Sequence, residues 1–223
     1  MTSSPTSDPA VDFLADGPAD AAVLIVLAHG AGAPMDSPFM AVIAEGLAAA
    51  GHRVLRFEFP YMARRRATGV KAPPDRQDKL LASWRAALDQ APPHPRRFTA
   101  GKSMGGRMAT LLAADAEAPA IDGVICLGYP FHAPGKFDNP RVEHLRLLQT
   151  PTLICQGTRD PFGDKDDVGT YQLPENIFFK WLKDGDHSFK PRKSSGLSET
   201  DNLSTSLKAV KTFSQNLFEG KKR

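Results

Sequence analysis

Short, unbroken apolar runs recur along this chain and restrict its fold more than any other feature. Residues 22–27 read Ala-Val-Leu-Ile-Val-Leu, residues 124–128 Val-Ile-Cys-Leu-Gly and residues 152–157 Thr-Leu-Ile-Cys-Gln-Gly. A strand with one wet face alternates apolar and polar residues, whereas a continuous run belongs to a strand covered on both faces. Helical spacing fills the gaps: Phe39, Met40, Ile43 and Leu47 lie within residues 37–50, with Gly51 as the stop, and Leu80, Leu81, Trp84 and Leu88 lie within residues 78–90. Further strands are expected at residues 53–59, ended by Pro60, at 97–100 and at 177–182, with a weak edge strand at 11–14. Further helices are expected at 104–114, 142–148 and 197–218, and residues 61–74 read as a loop. Strands separated by helices predict an α/β fold, a mostly parallel central sheet with helices on both faces and right-handed crossovers. Ligands of such sheets collect at the carboxyl ends of the strands.

The 223 residues suit one such domain, expected over residues 11–218, with a flexible tail at 1–10 and a basic tail at 219–223. At 41% hydrophobic and 24% charged residues, neither disorder nor a membrane class has compositional support. The net charge of +3, with basic clusters at Arg64-Arg65-Arg66 and Lys221-Lys222-Arg223, lacks the broad basic face of a nucleic-acid reader. No nucleic-acid or membrane partner is expected. Cys126 and Cys155 sit inside apolar runs, without disulfide-framework or zinc spacing, and read as reduced core thiols. The first 20 residues have no basic and apolar leader pattern, and no apolar run approaches the roughly 18 residues of a membrane span, so a cytoplasmic protein is expected.

One strand end carries chemistry. Phe98-Thr99-Ala100 leads into Gly101-Lys102-Ser103-Met104-Gly105-Gly106 and then a helical pattern. This is a nucleophile elbow: glycines flank the serine because a sharp strand-to-helix turn brings backbone segments together, presenting Ser103 Oγ at the sheet tip. The ending Gly101-Lys102-Ser103 also copies a phosphate-binding loop, but that motif needs a glycine where Arg96 stands.

With this elbow, and with His29-Gly30-Ala31-Gly32, Phe57-Glu58-Phe59-Pro60-Tyr61-Met62 and Gly185-Asp186-His187-Ser188-Phe189, the chain resembles the α/β-hydrolase superfamily. Within it the chain is similar to small, lidless, dienelactone-hydrolase-like members, nearest the testis-expressed and chromatin-complex hydrolase-like proteins, over residues 20–218. The resemblance implies the order nucleophile, acid, histidine, which places Ser103, Asp160 and His187 in those roles. Ser103 needs an imidazole to take its proton, and His187 needs a carboxylate to fix its tautomer. The resemblance also puts the oxyanion-binding amides at Ala31 and Met104 and makes His29 a structural residue.

The interval between the strands ending at Gly128 and starting at Thr152 is too short for a cap domain, so an open cleft is expected. Tyr129, Phe131 and the 61–74 loop are its expected walls, with Arg64 or Arg65 meeting an anionic group on the substrate. The implied function is a carboxylesterase-like serine hydrolase acting on a small acyl substrate without metal or organic cofactor. The alternative is a hydrolase-fold scaffold or binding subunit with little or no catalysis.

Overall fold

The computed structural model describes residues 10–219. The expected tails therefore lie, apart from Ala10 and Glu219, outside the described residues. In chain order the elements are β1 (Phe13–Asp16), β2 (Val23–Ala28), α1 (Pro38–Ala49), β3 (Arg53–Phe57), α2 (Pro60–Thr68), α3 (Gln77–Gln90), β4 (Arg96–Lys102), α4 (Met104–Ala113), β5 (Gly123–Leu127), α5 (Glu143–Arg146), β6 (Thr152–Gly157), α6 (Lys165–Gly169), β7 (Ile177–Leu182) and α7 (Glu199–Phe218). The seven strands form one sheet in the order β1-β3-β2-β4-β5-β6-β7, parallel except for β1 against β3. No cap domain is inserted: residues 128–151 hold only the four-residue α5.

Alternate residues of β2 explain its unbroken apolar run. Leu24, Val26 and Ala28 pack on one face with Trp84 and Leu88 of α3 and Met108 and Leu112 of α4. Val23, Ile25 and Leu27 pack on the other with Met40, Ile43 and Leu47 of α1 and Val210 of α7. Both faces are covered, so neither tolerates a polar residue.

Residues 61–74 depart from the expected loop, because their first half continues α2. Pro60 stands at the first helical position, where its missing N–H costs nothing, and Gly69 ends the helix in the left-handed conformation at φ +71°. Those start and stop signals are in the sequence, but an arginine-rich stretch obscures the short buried face of Tyr61 and Met62.

Chain order reverses at one point: β3 lies on one side of β2 and β4 on the other. The carboxyl ends of β2 and β4 thus flank the crevice where an open α/β sheet binds its ligands. The junction is crowded. A Cβ on Gly101 would lie 2.2 Å from Gly106 N, and one on Gly105 would lie 2.6 Å from His29 O in the loop after β2.

Three buried or half-buried histidines tie elements together. His29 Nδ1–H donates to Gly30 O (2.7 Å) while Nε2 accepts the Phe59 N–H (3.1 Å), joining the ends of β2 and β3 through one neutral tautomer. His52 Nε2 lies 2.8 Å from Ser214 Oγ on α7, and His144 Nε2 lies 2.9 Å from Thr110 Oγ1 on α4. Burial lowers the pKa of all three; at His144 the Arg107 cation adds to this, bringing it to about 4.

Gly101→Ala is expected to lose on the order of 3–5 kcal/mol in urea denaturation, or to fail to fold, because the new methyl meets backbone that cannot rotate away. Gly32→Ala, with nothing within 4 Å of the added carbon, is expected to stay within about 0.5 kcal/mol. Equal effects would contradict the close approach. The histidines make a second prediction. Unfolded, each binds a proton near its ordinary value of about 6.5, while the folded state resists until lower pH, so stability is present above that value and lost as pH falls. His144→Gln is expected to flatten this loss between pH 6.5 and 5 by up to about 1.4 kcal/mol per pH unit. A difference between parent and variant that does not change with pH would contradict it.

Candidate functional site

β4 ends at Lys102 and α4 begins at Met104, so Ser103 alone makes the turn. Its backbone sits at φ +50°, ψ −113°, a conformation costing a non-glycine residue on the order of 1–3 kcal/mol. The surroundings enforce it: Ser103 N–H donates to Leu127 O at the end of β5 (3.1 Å), and Ser103 O accepts from Arg107 N–H (3.0 Å). A serine at this position usually caps its helix. Here the side chain makes no capping bond and turns to His187 instead.

His187 follows β7 and Asp160 follows β6, so the two reach Ser103 from neighbouring strand ends. His187 Nδ1 lies 2.8 Å from Asp160 Oδ2, and Nε2 lies 2.8 Å from Ser103 Oγ. A carboxylate only accepts, so Nδ1 carries the proton; in the neutral ring Nε2 is then the acceptor and Ser103 O–H donates to it. Asp160 is 1% exposed. Its Oδ2 also accepts from Gln156 Nε2 (2.9 Å) and its Oδ1 from Phe162 N–H (2.9 Å), while the Phe162 ring lies 4.3 Å from the His187 ring. The carboxylate is thus both buried and hydrogen-bonded on each oxygen, which prevents it from rotating away.

Lys102 adds a tie that the sequence did not signal. Its ammonium donates to His187 O (2.5 Å) and lies over the rings of Phe39 and Phe189, at 5.5 and 5.7 Å. Burial pulls its pKa down to about 8, opposed by Asp160 and Asp186.

The loop after β2 is held by α2. Tyr61 O–H lies within donating distance of Gly30 O (3.3 Å) and Ala31 O (3.0 Å), and Arg65 Nη1 donates to Gly32 O (3.4 Å). Gly30 O therefore faces His29 and Tyr61, and in a trans peptide the Ala31 N–H on the same unit points the opposite way. Met104 N–H is the first of α4 and has no intrahelical acceptor. Among the described residues, neither amide donates to another group.

Ala31, Ser103 and Met104 line one cleft of about 510 Å³, with Arg107, Arg141 and Phe162 among its other walls. Of the expected walls, the 61–74 loop reaches the cleft through Pro74, whereas the four side chains named for it are placed differently. Tyr129 and Phe131 are fully buried in the core, Phe131 against Tyr171 and Phe179, and Tyr129 O–H donates to Arg141 O (2.8 Å). Arg64 pairs with Asp75 (2.7 Å), and Arg65 belongs to the loop support just described. None of these four lines the cleft. Continuous burial after β5 explains Tyr129 and Phe131: both side chains turn into the core, and only Pro130 between them lines the cleft. Among the described residues no group of three or more His, Cys, Asp or Glu side chains is arranged to hold a metal ion.

The model of the alpha/beta hydrolase domain family matches residues 21–215. Among solved structures, Est1E from Butyrivibrio proteoclasticus superposes with a TM-score of 0.70 at 16% identity, over 94% of this chain and 95% of that one. Dienelactone hydrolase from Anabaena variabilis gives 0.68 at 20% identity, over 97% and 94%. An α/β serine hydrolase without a lid from Xanthomonas campestris gives 0.59 at 22% identity, over 91% and 89%. The structural likenesses agree in fold, and the family match covers β2 to β7 and every residue of the site, so the chain belongs to the alpha/beta hydrolase family.

Proposed function

We propose that this protein is a serine hydrolase that cleaves a carboxylic ester or related acyl bond through an acyl-enzyme on Ser103. The observation that carries this is the pair of 2.8 Å contacts linking Ser103 Oγ to His187 Nε2 and His187 Nδ1 to Asp160. In the first half-reaction Ser103 Oγ attacks the acyl carbon and its proton passes to His187 Nε2, while Asp160 stabilises the imidazolium. The negative charge that develops on the carbonyl oxygen is met by the Ala31 and Met104 amides. As the intermediate collapses, His187 returns the proton to the departing oxygen, leaving the acyl group on Ser103. In the second half, His187 takes a proton from water, the hydroxide attacks the acyl carbon, and Ser103 recovers its proton as the acid leaves.

In this reading Gln156, Lys102 and Phe162 position the acid and histidine, and Tyr61 positions the Ala31 peptide. The two free, buried cysteines suit a reducing compartment, so a cytoplasmic setting is part of the same proposal.

A fluorophosphonate probe is expected to label the protein at Ser103, and Ser103→Ala or His187→Ala to abolish labelling. On a para-nitrophenyl ester, Ser103→Ala is expected to lower kcat by about 10⁴ or more with KM little changed. A folded protein that neither takes the probe nor turns over esters would instead support the scaffold reading.

A further inference from the structure

The cleft beside Ser103 holds more positive charge than its own residues balance. Arg107 lies one turn along α4 from Ser103, roughly 6 Å by the helical rise, and its N–H donates to Ser103 O. Arg141 comes from the segment after β5 and is pinned by its backbone: its N–H donates to Phe131 O (2.6 Å) and its O accepts from Tyr129 O–H. Both line the cleft, and each lies close enough to the other for the Arg141 charge to oppose the charged form of Arg107.

Neither arginine has a carboxylate partner among the described residues. The side-chain bond of Arg107 is a 3.4 Å contact with neutral Gln77, and its Nε is buried with no hydrogen-bond acceptor. The other charged wall is Asp75, whose Oδ1 pairs with Arg64 at 2.7 Å while its buried Oδ2 has no hydrogen-bond partner, so the cleft walls carry two cations against one carboxylate that is already shared with Arg64. His144, behind Arg107, is held neutral by burial. Each guanidinium is a planar fork of N–H donors, and two of them on the walls of one cleft, repelling each other, suit an oxyanion.

We infer that Arg107 and Arg141 bind a carboxylate on the substrate, so that the protein prefers esters whose acyl part ends in a free carboxylate a short spacer from the scissile carbonyl. The inference rests on the proposed hydrolase activity of Ser103. The carboxylate would supply both guanidiniums with charge-assisted acceptors, while the ester carbonyl sits at Ser103, one helical turn away. The basic cluster at 64–66 has no part in it: Arg64 and Arg66 are paired with acids, and Arg65 supports the loop after β2.

The test compares mono-para-nitrophenyl esters of succinate and glutarate with the same compounds carrying a methyl cap on the distal carboxylate. The parent is expected to favour the free acids by at least 10-fold in kcat/KM, mainly through KM, and to lose that preference as salt rises. Arg141→Gln and Arg107→Met are each expected to collapse the ratio toward one, Arg107→Lys to restore part of it, and Arg141→Glu to favour the capped ester. The ratio is internal to each variant, so a partly unfolded preparation does not imitate the effect. Equal turnover of capped and free esters by the parent would overturn the inference while leaving the hydrolase reading intact, as would a preference that survives both substitutions. Turnover of neither ester, with no fluorophosphonate labelling, would overturn the hydrolase reading itself.

Discussion

The site depends on a backbone approach that leaves no room for side chains. β4, the first turn of α4 and the loop after β2 meet where Gly101, Gly105 and Gly106 would each drive a Cβ into neighbouring main chain at 2.2–2.7 Å. Because these segments touch, Ser103 has no alternative but the strained turn between them, and its hydroxyl leaves the helix-capping position. The same contact sets Gly105 against His29 O, which fixes the distance from the loop after β2 to the start of α4. The two amides proposed to receive the oxyanion are therefore held apart by packing of backbone on backbone, which is stiffer than any side-chain contact.

Much of this was legible in the sequence, and the residues show why. The buried strands could be read because β2 must satisfy two cores at once, which leaves an apolar run with no gaps. Ser103 could be read because its glycines are demanded locally, and Asp160 and His187 because each stands just past a legible strand. Other features depended on contacts between distant segments. Lys102 carries no signal for its bond to His187 O, 85 positions away, and Tyr61 none for the carbonyls of the loop it holds. Tyr129 and Phe131 were expected to wall the cleft because they follow a strand's carboxyl end. Whether such a residue faces out or turns into the core depends on where the chain goes next, which a single sequence does not state.

The charges around the cleft divide into those that build it and those left over. Arg66 joins Asp36 and Glu58, and Arg64 joins Asp75, fastening α2 to the loops beside it. These exposed arginines contribute modestly to stability individually, but together they hold α2, and with it Tyr61, against the loop after β2. Arg107 and Arg141 differ in kind: they line the cleft and pair with no acid among the described residues. Two such guanidiniums beside Ser103 repel each other, and such a cost persists where a ligand relieves it.

The segment between β5 and β6 completes the logic. In 24 residues, 128–151, it inserts no cap, and Tyr129, Phe131, Val142, Leu145 and Leu148 go into the core rather than over the site. What it delivers to the cleft is Pro130 and Arg141, the latter held from beneath by the hydroxyl of buried Tyr129. A capped hydrolase can select substrates by enclosing them. With an open cleft, selectivity must come from the walls, and an apolar wall distinguishes substrates by only about 1–3 kcal/mol per methylene. A charged fork one helical turn from the nucleophile discriminates more sharply, because an uncharged analogue leaves its donors unmet. The short segment and the two cleft arginines thus fit the one arrangement we infer: recognition by two cations on the walls of an open cleft rather than by a lid.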